Sequence, residues 1–260
     1  MNSPILVTGG TGTLGRLVVP RLHEAGHRVR IVSRHGGEPS PGVTHVTADL
    51  ATGEGVDAAV RDVQIVLHLA GGQQGDDHLA RTLARAARQA GVRHLVFVSV
   101  IGADRVPLAW LRMKLAAEQA IADSGVPWTT LRAAQFHELT LTLVRKMSAL
   151  PVIPVPGGMR LEPVDGREVA ARLAELALSA PAGLVPDLAG PQVYGLGELI
   201  RSYLRATGRR RLLMPVPMPG SAGRAYRQGA NLALPGATRG TRTWGQFLAD
   251  QVGQPTSTTR

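Results

Sequence analysis

Short apolar runs and amphipathic stretches take turns along the first 136 residues. "PILVTG" (4–9), "RVRIVSR" (28–34), "VTHVTAD" (43–49), "VQIVLHLA" (63–70), "VRHLVFVSV" (92–100) and "PWTTLRAAQF" (127–136) read as strands. Their apolar positions lack strict alternation, as in strands covered on both faces of a parallel sheet. Between them, "LGRLVVPRLHEAG" (14–26), "GVDAAVRD" (55–62), "DDHLARTLARAARQAG" (76–91) and "RMKLAAEQAIADSG" (112–125) space their apolar residues for helices. Strand–helix–strand repetition with right-handed crossovers predicts an α/β fold, a Rossmann doubly wound parallel sheet.

The pattern changes near residue 150. "ALPVIPVPGG" carries too many prolines for a long helix. Helices follow at 166–179 and 195–208, with a short strand near "GLVPDLAG", a Pro/Gly-rich passage and a last amphipathic piece, "TWGQFLADQV". The expected organisation is a nucleotide-binding domain over 1–150, a small mixed C-terminal substrate-binding lobe over 151–252 packed on it, and a flexible tail over 253–260.

Composition narrows the function classes. A chain of 260 residues with 44% hydrophobic and 18% charged residues can bury a sizeable core. The absence of cysteine excludes disulfides, thiolate catalysis and Cys-ligated metals, and suits a cytoplasmic location. The start, "MNSPILVTGG", has no basic segment before its apolar run, and no run approaches the ~20 residues needed to cross a bilayer, so no membrane association is expected. The net charge of +10 raises nucleic acid, but the arginines are scattered, and the one dense run, "GRRR" at 208–211, has no interleaved aromatics for base stacking. No nucleic-acid partner is expected; an anionic cofactor or substrate would benefit from the same field. The eight histidines include no His-x-x-x-His, so no metal site is expected.

The chemistry begins at "TGGTGTLG". Gly9, Gly12 and Gly15 follow a strand and open a helix, within the first strand–helix–strand unit. A dinucleotide's diphosphate must come close to backbone N–H groups at such a helix start, and Gly15 lets the helix pack tightly on the strand. NAD-selective sites end the second strand with an acid for the adenine-ribose 2′-hydroxyl. Here that strand ends in Ser33 and Arg34, which could donate to and pair with a 2′-phosphate; the expected cofactor is NADP(H).

These motifs, with "TADL" (47–50), "HLAGG" (68–72), "FVSVIGADRVPLAWLRMKLAAEQAI" (97–121), "WTTLRAAQFHE" (128–138), "PVDGREVA" (163–170) and "TWGQFLAD", resemble the atypical short-chain dehydrogenase/reductase superfamily in its NmrA-like NAD(P)H-binding branch. The resemblance covers almost the whole chain. It implies that Thr11, Gly12, Thr13 and Leu14 line the phosphate loop and that Asp49 and Leu50 line the adenine. Ala70, Gly71 and Ser99 would follow the cofactor past the ends of the next strands. Lys114 would reach the nicotinamide ribose, and Ala134, Gln135 and Phe136 would flank the nicotinamide.

One departure matters chemically. Reductases of this superfamily use Tyr-x-x-x-Lys on one helix face, the lysine lowering the tyrosine pKa so that it can donate a proton. This chain has Trp110-x-x-x-Lys114, and Ile101 stands where the usual serine would be. An indole N–H has no usable acid–base chemistry. Three readings stay open: another donor such as His137, Glu138 or a water held by Lys114; a quinone-like acceptor that takes its proton from solvent; or an NADP(H)-binding redox sensor that turns nothing over. The catalytic candidates are therefore Lys114 and His137. The apolar segment 139–159 and "MPVPMPG" point to an apolar or aromatic small-molecule substrate, and the superfamily makes a homodimer unsurprising. The leading expectation is an NADPH-dependent oxidoreductase acting on a small carbonyl, quinone-like or conjugated molecule.

Overall fold

The computed structural model describes residues 3–38, 40–71 and 75–252; the tail expected at 253–260 lies outside them. The chain opens with β1 (Ile5–Thr8), α1 (Gly15–Glu24), β2 (Val29–Ser33), β3 (Val43–Thr47), α2 (Val56–Ala59) and β4 (Ile65–His68). It continues with α3 (Asp76–Gln89), β5 (His94–Val100), α4 (Ala109–Ala122), β6 (Trp128–Ala133) and α5 (His137–Met147). Then come β7 (Val152–Pro156), β8 (Arg160–Leu161), α6 (Gly166–Leu178), β9 (Gly183–Leu184), β10 (Leu188–Ala189) and β11 (Tyr194–Gly195). The last elements are α7 (Leu196–Ala206), β12 (Leu212–Val216), α8 (Gly220–Gln228), β13 (Thr238–Arg239) and α9 (Trp244–Val252).

Two compact units emerge, interleaved rather than cut once at residue 150. The first takes residues 1–104, 108–132 and 166–186; the second takes 105–107, 133–165 and 187–260. The interleaving has a physical cause: α6 returns to the first unit, where it packs on α1.

In the first unit the strands lie in the order β6-β5-β4-β1-β2-β3, all parallel, with β9 beside β6. Chain direction across the sheet reverses between β1 and β4, the switch point where α/β sheets bind ligands. The register Thr8↔Val32 and Thr8↔His68↔Phe97 brings the carboxyl ends of β1, β2, β4 and β5 to one edge. One face is built from Leu6, Val66, Leu95 and Phe97 against Ala80, Leu83, Ala84 and Ala87 of α3 and Ala117 and Ile121 of α4. The small alanines at i, i+4 and i+7 of α3 (Ala80, Ala84 and Ala87) allow that close approach. The intervening residues Ile5, Val7, Leu67 and Val96 are buried on the opposite face, as the two-residue period of a strand requires.

In the second unit, Ala133 pairs with Leu188 of β10, and β10 pairs with β13. Its core joins Leu141 and Val144 of α5, Ile153 of β7, five residues of α7 including Tyr203, and Trp244, Phe247 and Leu248 of α9. Two elements were not assigned from the sequence. Residues 139–159, read from the sequence only as an apolar segment with no element assigned, take in most of α5 and all of β7: His137, Thr140, Leu141 and Val144 are buried at helical spacing. The proline-rich "VIPVP" pairs in parallel with β12, and Gly157 N–H donates to the Val216 carbonyl. Pro154 and Pro156 alternate with such donors, so the N–H groups they lack would face the ribbon's open edge. No helix among the described residues is long and apolar enough to cross a membrane.

Candidate cofactor site

The phosphate loop is shaped first by the protein's own backbone. Gly9 has φ +69°, and a Cβ there would stand 2.7 Å from Ala70 N, so the β1 turn closes against the chain leaving β4. A Cβ on Gly15 would stand 2.3 Å from the Gly9 carbonyl oxygen, so α1 begins in direct contact with the turn. Gly12 is different: its Cβ would meet only that same oxygen, at 3.3 Å. Thr11, Gly12 and Thr13 are exposed, no side chain caps α1, and its first turn contains no acid. A helix start with no capping side chain and no acid in its first turn fits a diphosphate. Arg16, not singled out from the sequence, donates from Nε to the Thr11 carbonyl at 2.9 Å and adds a cation beside the loop.

Around this loop the first unit assembles the other positions at the carboxyl edge. Ser33 donates its hydroxyl to the Gly36 carbonyl at 2.6 Å, so it holds the turn that carries the exposed Arg34. Asp49 accepts the Ala51 N–H at 2.8 Å and donates its own N–H to the Glu54 carbonyl, while Leu50 is buried beside it. Ala70 is half-buried and Gly71 exposed. Ser99 is buried, and its hydroxyl has no partner among the described residues. Lys114 projects from α4 onto Asp76, with Nζ 2.8 Å from Oδ2, and lies 5.4 Å from the Phe97 ring centre. Trp110, one helical turn earlier, is partly buried, and Ile101 is buried.

Three residues of this edge went unread in the sequence: Thr8, His68 and Asp76. Ala70 N–H donates to Thr8 Oγ1 at 3.2 Å, and the same hydroxyl is hydrogen-bonded to His68 Nδ1 at 2.7 Å. Burial, and then the Lys114 charge, push its pKa down to about 3, so it is uncharged at any ordinary working pH. The acidic start of "DDHL" was read only as a helix signal; its pairing with Lys114 leaves no local trace.

α4 is fixed from below. Arg132 of β6 grips Glu118 through Nε (3.0 Å) and Nη2 (2.7 Å), and reaches Asp104 through Nη1 (2.8 Å). Glu118 lies one turn beyond Lys114, so this bidentate pair sets the rotation of the helix that presents the lysine. Glu118, then Asp104, hold the guanidinium pKa above its ordinary value.

The remaining predicted positions belong to the second unit. Ala134 N–H donates to the Leu188 carbonyl, Gln135 accepts from Val164 N–H, and Phe136 is half-buried at the start of α5. His137 is completely buried, its ring edge-on to Trp244 and tilted against Phe247. Asp165, just before α6, is buried and accepts from Arg242 Nη1 at 2.5 Å. No group of three metal-ligating side chains occurs among the described residues.

A family model described as NAD(P)H-binding matches residues 9–152, more than half of the chain. The chain belongs to this NAD(P)H-binding family. Within the atypical short-chain dehydrogenase/reductase superfamily, it is similar to the (4-alkanoyl-5-oxo-2,5-dihydrofuran-3-yl)methyl phosphate reductase of Streptomyces griseus. The two are 33% identical over 212 residues, covering 79% of this chain and 74% of that protein. Quinone oxidoreductase 2 of Escherichia coli is 26% identical over 223 residues, covering 79% of this chain and 75% of its own. The crystal structure of the Citrobacter sp. triphenylmethane reductase complexed with NADP(H) superposes with a TM-score of 0.74 at 20% identity, over 96% of this chain and 99% of that one, and shows the shared fold.

Proposed function

We propose that this family member is an NADPH-dependent oxidoreductase that reduces a small carbonyl, quinone-like or otherwise conjugated molecule without a tyrosine acid. The observation that carries the reading is the uncapped, acid-free start of α1 lying on the same sheet edge as Lys114. The activities of the Streptomyces and Escherichia relatives, one on an acyl-dihydrofuranone phosphate and one on a quinone, support a conjugated acceptor.

NADPH, when bound, supplies hydride from its nicotinamide ring. The chain's own contribution is binding and orientation. The loop from Thr11 to Leu14 would hold the diphosphate, with the Thr11, Thr13 and Leu14 amides as donors because the Gly12 N–H is kept by the Gly9 carbonyl, and the Arg34 guanidinium would pair with the 2′-phosphate; the absence of an acid at the end of β2 favours NADP(H) over NAD(H). Lys114 would donate to the ribose. No proton is assigned to Trp110, whose indole can only donate a hydrogen bond, nor to His137, whose ring is enclosed by aromatics. That restriction selects the substrate. A plain ketone becomes an alkoxide that needs a matched acid, whereas an enone or quinone spreads the incoming charge over a conjugated oxygen, which solvent can protonate.

Steady NADPH oxidation against a panel of quinones, enones and simple ketones tests this. Turnover of the conjugated members with little or none of the simple ketones is expected. A second reading, a silent redox sensor, is favoured by Trp110 and the buried Ile101 at the two positions where the superfamily keeps its tyrosine and serine. No turnover of any acceptor, with NADP and NADPH bound at different affinities, would replace the first reading with the second.

A further inference from the structure

Resting on that reading, we propose that Asp76 is the positioning residue for Lys114: its carboxylate sets the ammonium against the backbone at Gly71, where the cofactor is to be met. Asp76 opens α3 and Lys114 sits one-third of the way along α4, so the pair joins two helices at the sheet edge beside β4 and β5. The side chains retain 13% and 4% of their exposure for Lys114 and Asp76, respectively. A Cβ on Gly71 would stand 2.9 Å from Lys114 Nζ and 3.2 Å from each Asp76 carboxylate oxygen. The ion pair therefore lies directly against the exposed Gly71, and a side chain at that position would cover it.

The groups beneath the ammonium cannot do this work. Phe97 offers a ring face at 5.4 Å, and His68, stacked on Phe97, is neutral. Asp76 supplies the counter-charge. An ammonium has three donors, so one can stay on Asp76 while others reach ribose hydroxyls. A lysine turns about several bonds and loses that freedom when it is fixed. Here it is fixed by folding, before the cofactor arrives, which lowers the entropic cost of the contact. With tyrosine absent at position 110, this orientation is the function left to Lys114 on its helix face.

A double-mutant cycle on the full chain separates positioning from plain helix-to-helix stabilisation. NADPH dissociation constants are measured by calorimetry for wild type, Asp76→Asn, Lys114→Met and the double variant, with KM for NADPH and kcat on an acceptor that is turned over. Asp76→Asn is expected to weaken NADPH about tenfold when Lys114 is present, the loss of one charged hydrogen bond's worth of orientation. In the Lys114→Met background the same change should alter affinity by less than about twofold. KM for NADPH should rise with the dissociation constant while kcat moves less, and Asp76→Glu should recover part of the affinity. Equal weakening on both backgrounds overturns the proposal, because Asp76 would then act on the fold and not through Lys114. So does an Asp76→Asn affinity matching wild type while Lys114→Met is weak. Wild-type protein that binds no NADPH removes the functional reading itself, a result distinct from either. Asp76→Ser, which suits a helix start, repeats the cycle should the asparagine variant not fold.

Discussion

Replacing His68 by glutamine should flatten the acid side of the stability curve. The imidazole is completely buried and held neutral, its pKa lowered from 6.5 to about 3 by desolvation and then by Lys114. The unfolded chain takes up a proton near 6.5, while the folded chain resists until about 3. On acidification the unfolded state thus binds more protons, and the native state loses stability through that window, keeping its full value only above it. Each pH unit is worth about 1.4 kcal/mol, so by about pH 4 the histidine alone removes roughly 3 kcal/mol. Glutamine keeps a polar atom for the Thr8 hydroxyl but cannot charge. Urea unfolding at stepped pH, wild type against His68→Gln, reads the difference directly. The variant is expected to start lower at neutral pH, by about 1–3 kcal/mol for the disturbed hydrogen bond and packing, and to fall less steeply below about pH 6. His94, whose pKa burial also lowers, adds the same sign to both proteins and cancels. Parallel curves would refute the reasoning, since they would mean that His68 titrates alike in the two states.

Other perturbations follow from the same contacts. Gly15→Ala places a Cβ 2.3 Å from the Gly9 carbonyl oxygen, so the turn must shift; a loss of about 1–3 kcal/mol by thermal unfolding and clearly weaker NADPH binding are expected. Arg132→Met strands the mostly buried Glu118 carboxylate and should cost about 3–5 kcal/mol in urea unfolding, far more than an exposed ion pair such as Arg172–Glu175, measured the same way. Trp110→Tyr restores an acid one helical turn before Lys114 and should create measurable reduction of simple ketones in an NADPH-oxidation assay; an unchanged substrate range would mean that the position does not face the acceptor.

The parts of the molecule legible in its sequence are those encoded locally. The order of strands and helices followed from apolar runs and glycine stops, and the phosphate loop from the spacing of Gly9, Gly12 and Gly15. What escaped depends on residues distant in sequence. Thr8 and His68 are 60 positions apart, and nothing in "VTGG" or "LHLA" announces their hydrogen bond. Asp76 looked like a helix-starting acid because helix starts favour acids whether or not a lysine waits 38 residues later. α5 was hidden by its threonines and by its immediate succession to β6, although its buried positions keep helical spacing. β7 was hidden by prolines that are tolerated because their missing donors point away from β12. His137 was singled out from its place after β6, but its contacts with Trp244 and Phe247 were not legible, because those rings lie more than 100 residues further along the chain.

Calorimetric titration of NADPH and NADH into wild type and Arg34→Asp addresses the phosphate-cradle assignment most directly. One NADPH site per chain is predicted, with NADPH bound more tightly than NADH; in the variant, NADPH should weaken about tenfold or more while NADH changes little. Equal affinity for the two nucleotides in wild type, or no heat with either, would contradict the assignment of the α1 start and Arg34 to a 2′-phosphorylated dinucleotide.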